Sequence, residues 1–498
     1  MVITRALLIL LLTLAFGGCA ALPPAGDLLP QPAEDSRSAG TPADYTALSQ
    51  PEPVTVQPPD DVRPAALADA VPPEQEAGVQ IPPGLSLPGT MWNFSLVGHS
   101  DLGRRGMNAG LALAGDCAYI GGRAAGQPVL TVDVADPAAP RVVGAFGAVP
   151  GSTARELRAS EELKLLIVLH YRLSSVGGRN DLTLYDIRDC RRPLQVGSFD
   201  FGPLRPHEFF LWRDPQRPGR ALAFVALFAA APGLIVVDLS NPAAPHEIDR
   251  WNIGLPATET VGGRLLRNAL HSLSVSPDGT RAYLALWDGG FQIVDTSEFA
   301  AGRPRPVVRP ITLPGRRLRY APLAPGHTHS AVAVPGRPLV LLTDEVYAPN
   351  CPYGWLRIVD IRDPTAPRQV GEYRLPENDP ARCSETLQRR GTYSAHNPLA
   401  LPHLALVSWH AGGLQAIDIS DPAAPRRAGV FVPAPVPNVA EHDAAFGAVP
   451  VVTWSYPIIK DGLVYVVDVR NGLYILRYTG MWAEEVTSTA FAEGNSNA

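Results

Sequence analysis

The chain has 498 residues, of which 52 are proline and 45 glycine, about a fifth of the total. That excludes a predominantly helical protein and points to short strands joined by turns. The net charge of −6 leaves no basic excess for a phosphate backbone, and only one long apolar run occurs, at the N-terminus. A dedicated nucleic-acid binder and a polytopic membrane protein are therefore both excluded.

The apolar run follows Arg5 and ends in Phe16-Gly17-Gly18-Cys19. One positive charge, a short apolar stretch and small residues read as a secretory signal over residues 1–18. Its end resembles a bacterial lipobox, which implies lipidation of Cys19 and an exported, membrane-anchored lipoprotein, periplasmic or at the cell surface. Ordinary secretion and an uncleaved anchor are the alternatives. Residues 19–90 read as a disordered, Pro-rich acidic linker. Between 20 and 90 there are 15 prolines, ten acidic residues, two arginines and one aromatic ring, too little apolar surface to offset the entropy of ordering.

From residue 91 a phrase of the type Ile-Val-Asp-Ile-x-Asp-Pro-x-x-Pro recurs, marked by Asp133, Asp186, Asp238, Asp295, Asp360, Asp418 and Asp468. The spacing of 50 to 65 residues, filled with short apolar runs between Pro/Asp/Gly turns, predicts an all-β, seven-bladed β-propeller of four-stranded antiparallel blades over 91–481. Residues 482–498 read as a flexible tail. The last repeat ends after a third strand, and Trp92–Gly98 resembles the fourth-strand phrase Val142–Phe146. Residues 91–97 are therefore expected to complete blade seven and remove an open edge.

The phrase resembles the LVIVD-repeat β-propeller family. Gly98–Gly103, Pro206-His-Glu-Phe-Phe210, Trp355–Ile361 and Trp454–Ile459 resemble its exported bacterial members. The resemblance implies the fold; it implies no particular activity.

Aligning the repeats on their first strands places His207, His271, His329 and His396 in one column, with Ala109, Arg155 and Ser455 in the other three blades. First strands line a propeller's channel, so four imidazoles converge at its mouth. His327 shares a strand face with His329 by alternation, and His410 falls on the same rim. Such a set suits one Fe, Cu, Zn or Mn ion. Glu208, Asp288 and Glu345 are the candidate second-shell acceptors or general bases, although alternation turns Glu208 away from the channel. Ordered water binding by channel-mouth side chains is the bland alternative.

In an oxidising compartment four cysteines remain besides Cys19. Cys351 and Cys383 both fall in loops of the histidine-bearing rim and are expected to pair; the state of Cys117 and Cys190 stays open. Two functions compete. One is a tethered, monomeric binding module with an envelope protein or glycan partner, anchored to the membrane by lipid. The other is a metal-dependent enzyme, redox or hydrolytic, using the histidine cluster.

Overall fold

Each repeat folds as one antiparallel sheet because its apolar runs carry side chains to both faces, and each face is buried against the next blade. The computed structural model describes residues 86–497 apart from 174–176, 229–232, 321–325, 348–349, 381 and 384–390. The signal at 1–18, Cys19 and the linker to residue 85 lie outside the described residues.

The seven innermost blade strands are Asn108–Ala114, Ser152–Ser160, Pro206–Arg213, Leu270–Val275, His327–Ala333, Pro398–Ala400 and Ile458–Lys460. Each begins a four-stranded antiparallel meander. Seven apolar clusters fill the seven gaps between neighbouring blades. One of them packs Leu111 and Ile120 of blade one on Tyr465 and Ile475 of blade seven, which closes the ring. The protein is a seven-bladed β-propeller.

The repeated Val-Gly of the outer strands has a physical cause. A Cβ added to Gly98, Gly197 or Gly371 would fall 1.9, 2.0 or 1.9 Å from the carbonyl oxygen of Pro137, Pro242 or Pro422. Each proline belongs to the Asp/Asn-Pro turn of the following blade, so turn and glycine form one interlock.

Ring closure uses Phe94–Ser100, which pairs antiparallel with Gly472–Tyr478 as the fourth strand of blade seven. The closing strand thus lies slightly later than 91–97. Met91–Trp92 instead adds a fifth strand to blade six, opposite Phe431 and Val430. The folded part also starts before residue 91: Ser86 is buried, its N–H donates to Glu377 Oε1 (2.6 Å), and Gly89 N–H donates to Val432 O. The repeat phrase around Asp468 lies one strand early, ending the second strand of its blade, whereas the other six marker aspartates end third strands. Asp468 there accepts the N–H groups of Val452, Arg470 and Asn471.

The expectation of a flexible tail is corrected. Ala483–Thr487 is a short helix, and Phe491–Glu493 pairs with Ile458–Lys460, the innermost strand of blade seven. The chain then crosses to blade three, where Asn495 O accepts from Leu211 N–H and Asn497 N–H donates to Leu211 O. Residues 491–497 thus form a strap from the innermost strand of blade seven to that of blade three. Its partners are far away in sequence, so no local pattern reports them.

Cys351 and Cys383 are bonded, with Cα atoms 5.9 Å apart. A second disulfide, Cys117–Cys190, joins blades one and two.

Candidate metal centre

In five inner strands the ladder slips at the same position. The irregularities lie between Asn108 and Leu111, Ala154 and Glu156, Pro206 and Phe209, Leu270 and Ser272, and Thr328 and Ser330. The residues skipped are Ala109–Gly110, Arg155, His207–Glu208, His271 and His329. A bulge releases a residue from the ladder and re-aims its side chain. In blade six, His396 precedes the inner strand and its N–H donates to Ser408 O.

The bulges bring the imidazoles into an arc. Ring centroids are 4.2 Å apart for His207 and His271, 4.1 Å for His271 and His329, 4.1 Å for His329 and His396, and 4.8 Å for His396 and His410. None of the five is more than 4% exposed. Two carboxylates enter the same arc. Glu208 Oε1 lies 3.9 Å from both His271 Nδ1 and His329 Nε2. Glu345 lies 3.6 Å from His329 Nε2, 3.4 Å from His396 Nε2 and 3.2 Å from His410 Nε2.

These positions revise several sequence expectations. Glu208 points inward, because the two-residue bulge abolishes the alternation that would have turned it away. Glu208 and Glu345 stand among the imidazoles as candidate ligands, not behind them. The bulge at His329 also separates it from His327, whose ring stacks on Trp287 (4.3 Å) and whose Nδ1 meets Asp288 at 2.6 Å, outside the arc. Asp288 accepts Arg267 N–H as well, so its two oxygens meet His327 and that backbone amide. His410 belongs to the arc. His207 is held by His271, Nε2 to Nε2 at 2.8 Å, which makes it a partner of a ligand and not a fourth equivalent ligand.

An ion bound at about 2.0–2.2 Å needs donor atoms roughly 3–4.4 Å apart. Two triads come close to it, Glu208/His271/His329 and His329/Glu345/His396: their Glu–His distances are 3.4–3.9 Å and all donor atoms of each lie within 4.8 Å of one another. They share His329, so the buried His/Glu group could hold a metal ion centred near that ring.

The hydrogen bonds behind the rings fix their tautomers. His396 Nδ1 lies 2.7 Å from Trp454 O, a pure acceptor, so Nδ1 carries the proton. Asn397 Nδ2 donates to the same carbonyl, which leaves its Oδ1 to accept from Ser330 Oγ (3.1 Å). Ser330 Oγ must then accept from His329 Nδ1 (2.8 Å). Both Nε2 lone pairs therefore face Glu345. Burial, with His329 and His410 adjacent, drives His396 well below the ordinary imidazole range, so this ring stays neutral. Burial and the charge of Glu156 push Glu208 up to about 8. An electron-rich pair facing inward in a dry site is the arrangement a cation resolves.

Aromatic rings cover the arc: Phe228 lies 4.9 Å from His207, Trp287 4.9 Å from His271, Phe446 5.0 Å from His410 and Trp454 4.9 Å from His396. The His-free half of the ring is not open. Arg155, in the same column, places its guanidinium 5.5 Å from the Trp454 ring, and Arg123 lies 4.9 Å from it. Sequence reasoning missed Tyr456, whose hydroxyl donates to Glu208 Oε2 (3.3 Å). The available signal was its place one residue after Ser455, the column position of blade seven.

The LVIVD repeat family matches residues 223–252, 271–301 and 405–431. No curated protein matches the chain. Among solved structures, the chain is similar to one from a mitotic checkpoint complex, at 9% identity and TM-score 0.45, covering 80% of this chain and 97% of that one. Chaetomium thermophilum Sqt1 is similar at 14% identity and TM-score 0.44, covering 76% and 86%. A protein from Lactobacillus plantarum is similar at 12% identity and TM-score 0.44, covering 66% and 85%.

Proposed function

We propose that this chain, whose repeats match the LVIVD repeat, is an extracytoplasmic, lipid-anchored binding propeller whose His/Glu arc holds one transition-metal ion. The observation that carries the metal reading is the tautomer pair. His329 and His396 each commit Nδ1 to a fixed acceptor and turn Nε2 towards Glu345. The anchor rests on the Gly17-Gly18-Cys19 sequence, and the tether between anchor and fold is long enough to let the propeller reach a protein or glycan at the envelope.

Elemental analysis of the untagged full-length protein tests the metal. About one equivalent of Fe, Cu, Zn or Mn is expected, and little in a His271→Ala/His329→Ala variant. A wild-type protein that holds none of these ions, even after each is added, overturns the reading. The anchor is tested separately: Cys19→Ser should move the protein from membranes to the soluble exported fraction, and unchanged membrane association rejects it.

A metal-dependent enzyme is the second reading, favoured by the burial of the arc under aromatic rings, where electrostatic effects on a bound ion's ligands are stronger than in water.

A further inference from the structure

Tyr456 stands where the metal arc meets the rest of the channel. Its hydroxyl lies 3.3 Å from Glu208 Oε2, 3.2 Å from Ser330 Oγ and 3.3 Å from Ser272 Oγ. Ser330 Oγ, the acceptor of His329 Nδ1, lies against the phenol oxygen, and Ser272, which can donate to the phenol, directly follows His271. One phenol therefore links three strands that carry candidate ligands.

The strap grips Tyr456 from the other side. A Cβ on Gly494 would lie 2.3 Å from Pro398 O and 2.8 Å from Tyr456 Cδ1, so strap and ring are in contact with no spare room. The next residue, Asn495, accepts from Arg158 Nε (3.3 Å). The Arg158 guanidinium in turn lies 5.7 Å from the Tyr456 ring and 3.1 Å from Glu156. The strap is fixed at both ends, by its ladder to Ile458–Lys460 and by Arg213 N–H, which donates to Asn497 Oδ1 at 2.6 Å.

We infer that Tyr456 is the positioning residue of the metal centre, and that residues 491–497 hold it in place. Ion affinity in the arc thus depends on a segment that joins blades seven and three. Glu208 is oriented by the phenol, which also packs against the Ser330 that holds His329; the phenol is oriented by Gly494 and Arg158. The inference rests on the metal reading above.

The test is a Co(II) titration of the full chain, followed by visible absorption, with Tyr456→Phe, Gly494→Ala and Leu265→Ser compared with wild type. Tyr456→Phe keeps the ring and removes only the hydroxyl. It should weaken binding about 10–100-fold, the usual effect of losing a ligand's outer partner, and shift the Co(II) bands. Gly494→Ala should do the same to a lesser degree, whereas Leu265→Ser, on an exposed hairpin, should match wild type. Wild-type affinity and bands in Tyr456→Phe overturn the positioning role. Altered binding in Tyr456→Phe with wild-type behaviour in Gly494→Ala overturns the strap's part. Should Tyr456→Phe fail to fold, Gly494→Ala decides alone. No Co(II) binding by wild type, with no native ion found, is failure of the metal reading itself.

Discussion

Glu345 Oε1 lies 3.4 Å from the Nε2 of His396, a nitrogen whose ring already gives its only proton to the Trp454 carbonyl. Neither group can hydrogen-bond the other unless one is protonated, and both are fully buried. Replacing the carboxylate by an amide of the same shape separates charge from packing. Glu345→Gln should reduce metal affinity about 10–100-fold while leaving the fold intact by circular dichroism. Undiminished affinity in that variant would remove Glu345 from the ligand set.

The strap carries its own pH dependence. Burial pushes the Glu493 carboxyl from 4.5 up to about 7. The folded protein keeps a proton there that the unfolded chain releases, so this group's contribution is fully present below about pH 4.5 and is lost as pH rises through about 7. Thermal unfolding at pH 5 and pH 8 should therefore fall more steeply in wild type than in Glu493→Gln, a difference of about 3 kcal/mol at most. Parallel pH profiles would refute it.

The closing strand should be indispensable. Phe94 is 6% exposed and packs on Tyr478, ring centroids 5.0 Å apart. A chain starting at residue 101 loses Phe94–Ser100 and exposes the edge of Gly472–Tyr478. It should aggregate or unfold well below one starting at residue 86, and Phe94→Ala should cost about 3 kcal/mol. Equal melting temperatures for the two shortened chains would show that blade seven closes by other means.

The interlock between blades is testable at one atom. Gly197→Ala places a methyl 2.0 Å from the Pro242 carbonyl oxygen, so blades two and three must separate locally. A loss of about 1–3 kcal/mol in denaturant unfolding is expected. A neutral result would mean the outer strand shifts freely.

The propeller was legible because its signal repeats: Asp-Pro-x-x-Pro turns at fixed intervals report strands, and strands at that period report blades. The histidine column was legible for the same reason, since a shared position in successive repeats is a shared position in space. What alternation could not deliver was orientation. One extra residue in a strand reverses the facing of its neighbours, which turned Glu208 towards the imidazoles and parted His327 from His329. Asp468 fell in the right phrase on the wrong strand, because a tight hairpin replaced the usual longer loop. The strap was illegible for a different reason. Residues 491–497 are short, polar and rich in Asn and Gly, and their order comes from Ile458–Lys460 and Leu211, supplied only by the finished ring.

Blade seven combines residues 94–100 with 458–478, so its first-synthesised strand must wait for nearly the whole chain. Closing so long a loop is entropically costly and slow, and it cannot begin while later blades are still emerging. During synthesis, the face of blade one that later packs on Tyr465 and Ile475 stays exposed. The growing polypeptide is an open arc with a sticky flank, and its maturation ends in a single late ring-closing event.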